Sequence, residues 1–180
     1  MRRGVHWAAL IALLAGALYW TTQQGTATPG ADMPPATQSG VVEKVVDGDT
    51  IWVRVDDPGG PLVHDATHKI RLLQIDTPET QHPEVGVECG GPQATAFAER
   101  HLAVGSTVHL LADRQDTDRY GRFLRYVWTD DGTFYNLEAV RTGHARAVLY
   151  EPNDRYIDVM RAAEAEARDA GRGIWGQYCS

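Results

Sequence analysis

Four carboxylates and one arginine stand where their types and spacing could do chemistry. Asp47 and Asp49 flank Gly48, Asp76 and Glu79 bracket Thr77-Pro78, and Arg71 lies shortly before Asp76. Carboxylate oxygens gathered at loop ends suit a hard cation, and an arginine projecting from the same element suits an anion. Together they are the ingredients of a cation site that handles an anionic substrate. Each group also has a plain structural role, because Asp-Gly turns are frequent and a Thr-Pro turn between acids is an ordinary solvated surface.

The stretch Arg71-Leu72-Leu73-Gln74-Ile75-Asp76-Thr77-Pro78-Glu79-Thr80 must position most of these groups. Ile70, Leu72 and Ile75 set against Arg71 and Gln74 read as a half-buried strand, which Thr77-Pro78 ends because proline offers no ladder donor. Asp76 and Glu79 then sit on the loop at a strand end, where a rigid element holds functional side chains in place. Residues 41–46 and 50–55 are strand-like, and Asp47-Gly48-Asp49 between them is a hairpin signal. His64 and His68 fall on what reads as a solvated loop with no third ligand beside them.

Beyond residue 80 the chain alternates punctuation with periodic segments. Residues 81–91 form a long Gly/Pro-rich loop of the kind that is commonly functional. Pro92 at a first helical position opens a helix over 93–103, with Ala94, Phe97, Ala98 and Leu102 on one face. Strands are expected at 106–111 and 120–128, the second carrying Arg122 and Arg125 and preceded by Arg119. Arg125 reads as a cross-strand partner for the many acids. Asn136 is expected to cap a short helix over 137–142 that Gly143 stops, and 146–150 is a brief strand or extended loop. A last helix over 155–170 places Tyr156, Val159, Met160, Ala163 and Ala167 on one packing stripe.

A chain of 180 residues holds one domain with a real core. Its formal charge of −7 becomes more negative once the first 40 residues, with Arg2, Arg3 and Asp32, are set aside, which argues against bulk electrostatic attraction to nucleic acid but leaves room for a local basic patch. Met1-Arg2-Arg3 followed by an apolar run over 5–20 reads as an export signal: either a cleaved signal peptide or a retained membrane anchor facing outward. Residues 21–40 read as a flexible linker, so the globular domain spans 41–180 and is expected outside the cytoplasm. Cys89 and Cys179 lack metal-ligand spacing, so zinc is not indicated.

The order and spacing of Val46-Asp47-Gly48-Asp49-Thr50, Arg71-Leu72-Leu73, Asp76-Thr77-Pro78-Glu79-Thr80, Gly91-Pro92-Gln93-Ala94, Thr117-Asp118-Arg119-Tyr120-Gly121-Arg122 and Gly173-Ile174-Trp175 closely resemble the staphylococcal nuclease (thermonuclease) family from about Val41 to Trp175. The resemblance implies an α+β, mainly β fold: a five-stranded OB-fold barrel with about three helices, here preceded by the N-terminal hydrophobic segment. It also implies a calcium-dependent phosphodiesterase acting on DNA and RNA, single-stranded or locally open, with no obligate protein partner. By that resemblance Asp49, Asp76 and the Thr77 carbonyl hold Ca2+, with Asp47 close by through water. Glu79 activates or orients the attacking water, and Arg71 and Arg122 meet the phosphate. Arg119, Tyr120 and Tyr150 match substrate-binding positions. A catalytically silent OB module is the rival reading, but it gives no reason to retain all five of Asp49, Arg71, Asp76, Glu79 and Arg122.

The departures from the family concern substrate. Glu84, Val85, Val87 and Glu88 occupy a loop where relatives carry lysines, and only Tyr150 precedes Pro152-Asn153 where a base would stack. Thinner positive charge implies weaker binding. In an oxidising compartment Cys89 and Cys179 are expected to pair, tying the loop to the C-terminal tail.

Overall fold

The structure is a computed structural model that describes residues 32–80 and 86–179. The hydrophobic run at 5–20, most of the 21–40 linker and loop residues 81–85 lie outside the described residues. Strands β1 (Gln38–Val45), β2 (Thr50–Val55), β3 (Thr67–Leu72), β5 (Thr107–Leu111) and β6 (Phe123–Thr129) close into a barrel in the order β1-β2-β3-β6-β5, with β5 returning to β1. Among the described residues only β3 and β6 pair in parallel. Two short strands, β4 (Ile75–Asp76) and β7 (Arg146–Ala147), form a separate antiparallel ribbon. Helices α1 (Gly91–His101), α2 (Tyr135–Arg141) and α3 (Ile157–Asp169) and a 3-10 turn at Gly173–Trp175 complete a mainly β, α+β OB-fold.

Inward-facing Val42, Ile51, Val53, Val55, Ile70, Leu72, Val108, Leu110 and Val127 fill the barrel, as β-branched and aliphatic residues on a pleated surface should. The helices cover one side with Phe97, Ala98, Leu102, Val140 and Met160. On α3 Met160, Ala163 and Ala167 are buried and Tyr156 and Val159 partly so, so the stripe read from the sequence is a packing face.

Several boundaries differ from the sequence reading, each for a physical reason. β1 begins at Gln38, inside the stretch read as linker, because that residue pairs with Leu110. Its buried amide also donates to Asp57 O at 2.8 Å and Leu62 O at 3.0 Å. The stretch from Arg71 to Asp76 is not one strand. Gln74 takes a left-handed φ of 60°, so the chain leaves the barrel at Leu72 and starts the second ribbon at Ile75. Nor is the stretch half-buried: Arg71 is 6% exposed and Leu73 and Gln74 are 0%. Gln74 is kept there by donating to Asn153 O (2.9 Å) and accepting from Tyr156 N (3.1 Å). Residues 120–122 lie on a turn before β6, with Gly121 at φ 77°. His68 belongs to β3, where its ring meets the edge of Phe123. Asn136 caps nothing. It sits inside α2, its side chain donating to Leu73 O (2.8 Å) and accepting from Val127 N (2.9 Å), which closes two backbone groups of the barrel.

Candidate functional site

β3 is the central strand of the site. Its register sets Arg71 opposite Thr50 of β2 and Leu124 of β6, and Leu72 N donates to Asp49 O at 2.8 Å. Pairing therefore delivers the Asp47-Gly48-Asp49 turn to the base of Arg71. The turn is self-braced, since Asp47 Oδ1 accepts from Asp49 N at 3.0 Å. It is also fixed from below, where the buried Tyr135 hydroxyl donates to Gly48 O at 2.7 Å. Gly48 is required for a close approach rather than for its φ: a Cβ there would stand 2.6 Å from the Thr77 side chain.

That approach lets Asp49 and Thr77 join. Asp49 is buried, and its Oδ2 accepts from Thr77 N (2.9 Å) and Thr77 Oγ1 (3.1 Å). Oδ1 takes the Thr50 hydroxyl at 3.1 Å. Arg71 then bridges the two acidic turns. Its Nη2 lies 3.2 Å from Asp49 Oδ2 and 3.0 Å from Asp76 Oδ1, and donates to the Tyr150 hydroxyl at 2.8 Å. Nη1 donates to the carbonyls of Leu72 and Ile75, both at 2.8 Å. Those carbonyls flank the Gln74 break, so the left-handed residue is what aims two backbone acceptors at one guanidinium.

The electrostatics show an excess of acid. Burial works against the Arg71 charge, but Asp49, Tyr150, Asp76 and Asp47 together hold its pKa above the ordinary arginine value. Asp47 is pushed up to about 6 by burial, with the charges of Asp49 and Glu79 adding to it against the pull of Arg71. Asp76 is also raised by burial, less the effect of Arg71. Arg71 and, at Asp76, Arg146 face Asp47, Asp49, Asp76, Glu79 and Glu88, so acids outnumber arginines. An oxygen-only set carrying uncompensated negative charge fits a hard cation such as Ca2+, and Thr77 adds a backbone carbonyl between Asp76 and Pro78. Among the described residues no three His, Cys, Asp or Glu side chains already converge as a metal cage. A set of two carboxylates and a carbonyl does not need one.

On the far side of Arg71 lies a cavity of about 310 Å³ lined by Arg71, Asp118, Arg119, Tyr120, Arg122 and Tyr150 among others. Arg122 is anchored by Asp118, whose Oδ2 accepts from Arg122 Nε at 2.7 Å while Oδ1 accepts from the amides of Tyr120 (2.9 Å) and Arg122 (3.0 Å). Those bonds hold the Asp118 pKa below the usual carboxylate value against its partial burial. Among the described residues neither terminal nitrogen of Arg122 has a hydrogen-bond partner. Arg119 Nη2 donates to the Tyr120 hydroxyl at 2.6 Å, and Tyr120 is 68% exposed. Arg125, by contrast, is buried away from this wall and paired at 2.7 Å with Asp116 on the connecting loop rather than across a strand.

The structure thus brings Asp47, Asp49, Arg71, Asp76 and Thr77 together at one end and Arg71, Arg119, Tyr120, Arg122 and Tyr150 around one cavity. Glu79 is exposed on the loop after Pro78 and near enough to Asp47 to act on its charge. Cys89 and Cys179 are joined by a disulfide with Cα atoms 5.8 Å apart. Sequence reasoning missed the supports: Tyr135 under the Asp-Gly-Asp turn, Gln74 and Asn136 as backbone bridges, and Asp118 behind Arg122. Only Asp118 left a local signal, an Asp placed to form an Asx turn with Tyr120.

Barrel, parallel β3–β6 pair and charged cleft define an OB-fold protein with its site on the face of β3 and the adjoining turns. Comparison with known proteins makes the class specific. The family model for the staphylococcal nuclease homologue matches residues 69–177. The thermonuclease of Staphylococcus intermedius is 38% identical over 138 residues, covering 77% of this chain and 76% of that protein. The thermonuclease of Staphylococcus hyicus is 37% identical, covering 74% and 73%. Endonuclease YncB of Bacillus subtilis (strain 168) is 32% identical, covering 88% and 72%. The chain belongs to the staphylococcal nuclease family.

Proposed function

We propose that this protein is an exported, calcium-dependent nuclease that hydrolyses phosphodiester bonds of DNA and RNA at the Arg71 cleft. The observation that carries the reading is the dual position of Arg71, which bridges Asp49 and Asp76 and lines the same cavity as Arg122. Family membership and the names of the relatives support phosphodiester hydrolysis. Asp49, Asp76 and the Thr77 carbonyl would hold calcium, with Asp47 beside them. The ion, when bound, supplies Lewis-acid polarisation of a phosphate oxygen.

The chain's own residues do the rest. Arg71 and Arg122 place forked donors against the non-bridging phosphate oxygens, where they oppose negative charge as it develops. Lysine would offer only a point charge in the same place. Glu79 orients a water for attack and takes its proton. Arg119 and Tyr120 engage the neighbouring phosphate, and Tyr150 offers its ring to the base of a single-stranded or locally open substrate. The apolar run at 5–20 supports export, as a cleaved signal or a retained anchor, and a structural disulfide suits an oxidising compartment. Among the described residues no helix is long and apolar enough to cross a membrane.

The deciding experiment follows degradation of single-stranded DNA by the purified chain with calcium and with excess chelator. Cleavage should require calcium. Cleavage that persists in chelator removes the metal assignment, and binding without cleavage in calcium leaves a silent OB module.

A further inference from the structure

The chain that leaves the site at Glu79 returns to it at Glu88 and is fastened there twice. Glu88 N donates to Glu79 O at 2.8 Å, and Glu88 Oε2 accepts from Glu79 N at 3.0 Å. One residue therefore holds the peptide groups on both sides of the Glu79 Cα. The next residue, Cys89, is bonded to Cys179, 90 positions away.

The far end of that bridge is firmly seated. Tyr178 N donates to Gly173 O (2.9 Å), the Tyr178 hydroxyl is hydrogen-bonded to His144 Nε2 (3.1 Å), and Ile174 N donates to Gly143 O (2.9 Å). The near end is confined as well. Gly90 has φ 88°, and a Cβ there would meet Ile174 at 2.5 Å, while Gly91 N donates to Glu88 O at 3.0 Å as α1 begins. Glu88 is exposed, so each of its bonds to Glu79 competes with water and holds weakly by itself. A covalent tether on the adjacent residue removes the freedom with which water would compete.

We infer that Glu88 is the positioning residue of Glu79 and that the Cys89–Cys179 disulfide holds Glu88 in register, which makes the rate of hydrolysis sensitive to thiol reductants. The inference rests on the proposed role of Glu79. Reduction by a dithiol breaks the S–S bond, places a proton and an electron on each sulfur to give two thiols, and converts the dithiol to its own disulfide. Towards Glu79 the Glu88 side chain acts as an acceptor, so a glutamine oxygen would serve in that contact, while Glu88→Gln also removes the negative charge that Glu88 sets near Asp76.

The test measures kcat, KM and amide hydrogen exchange at Glu79 in five forms: oxidised, dithiol-reduced, the Cys89→Ser/Cys179→Ser double variant, Glu88→Ala and Glu88→Gln. Reduction, the double variant and Glu88→Ala should each lower kcat about tenfold with KM within about twofold, the size of effect expected from a small misplacement of a reacting group. Each should also speed exchange at the Glu79 amide, Glu88→Gln should match the oxidised protein in that exchange, and reducing Glu88→Ala should speed it further, because the bond from Glu88 N to Glu79 O survives in that variant until the tether is cut. Undiminished kcat on reduction, or exchange at the Glu79 amide as fast in Glu88→Gln as in Glu88→Ala, overturns the inference. A reduced chain that unfolds assigns the bridge to the scaffold and overturns its part in positioning, while the two Glu88 variants still decide the clamp. Full cleavage by Glu79→Ala would instead remove the role of Glu79 and leave the exchange result standing.

Discussion

Arg71 and Arg122 line one cavity yet are held by opposite means. Arg71 has a local partner in Asp76, five residues on, but is also held from distant parts of the chain by Asp49 on the first hairpin and Tyr150, 79 residues on. Arg122 depends on Asp118, four residues away, in a half-buried pair at the foot of an exposed turn. The first arrangement exists only when barrel, ribbon and helices are assembled, whereas the second is nearly complete in a single turn. The chemistry proposed for the Arg71 end is therefore tied to the folding core, and substitutions there should act on activity and stability together. Substitutions at the Arg122 end act on the site with little cost to the fold.

Arg71→Lys gives the sharpest break in that comparison. The lysine keeps one charge but cannot span Asp49, Asp76 and Tyr150, so kcat should fall about 10²–10³-fold, with a loss of about 1–3 kcal/mol in stability by urea denaturation. Wild-type turnover in this variant would remove the arginine from the mechanism. Asp118→Ala frees the Arg122 Nε and leaves the amides of Tyr120 and Arg122 without their acceptor; kcat should drop about tenfold while the denaturation midpoint moves less than in Arg71→Lys, because a half-buried pair within one turn contributes about 1 kcal/mol. An equal loss of stability in both variants would erase the distinction between the two ends. Tyr135→Phe inverts the pattern of Asp118→Ala. Leaving Gly48 O buried without its donor should cost about 1–2 kcal/mol of stability while the folded fraction keeps kcat within a few-fold. Should turnover fall tenfold at full stability, Tyr135 belongs to the chemistry and not to the support beneath it.

What was legible in the sequence follows the same division. Asp47-Gly48-Asp49, Asp76-Thr77-Pro78-Glu79 and Tyr120-Gly121-Arg122 are local patterns, and the groups they carry are brought to one cleft. The supports are contacts between residues far apart in the chain, such as Asn136 with Leu73 and Tyr135 with Gly48, and nothing near either residue announces them. Asn136 even points the wrong way, since an Asn before apolar helical residues resembles a cap. Its amide serves the barrel because two buried backbone groups there have greater need of it. Gln74 misleads for a related reason. Alternation assigns a polar residue to the wet side of a strand, but this one is fully buried at a break the pattern does not contain.

That break bears on how substrate enters. Gln74 is hydrogen-bonded to Asn153 and Tyr156, its own carbonyl accepts from Val148 N at 3.0 Å, and the Asn153 side chain in turn accepts from Gln115 N at 2.8 Å. The segment bearing Tyr150 is thus fastened to the break after β3 on both flanks. On the proposed reading, a strand of nucleic acid would meet this wall of the slot already formed, with the exposed Tyr120 at the slot's edge.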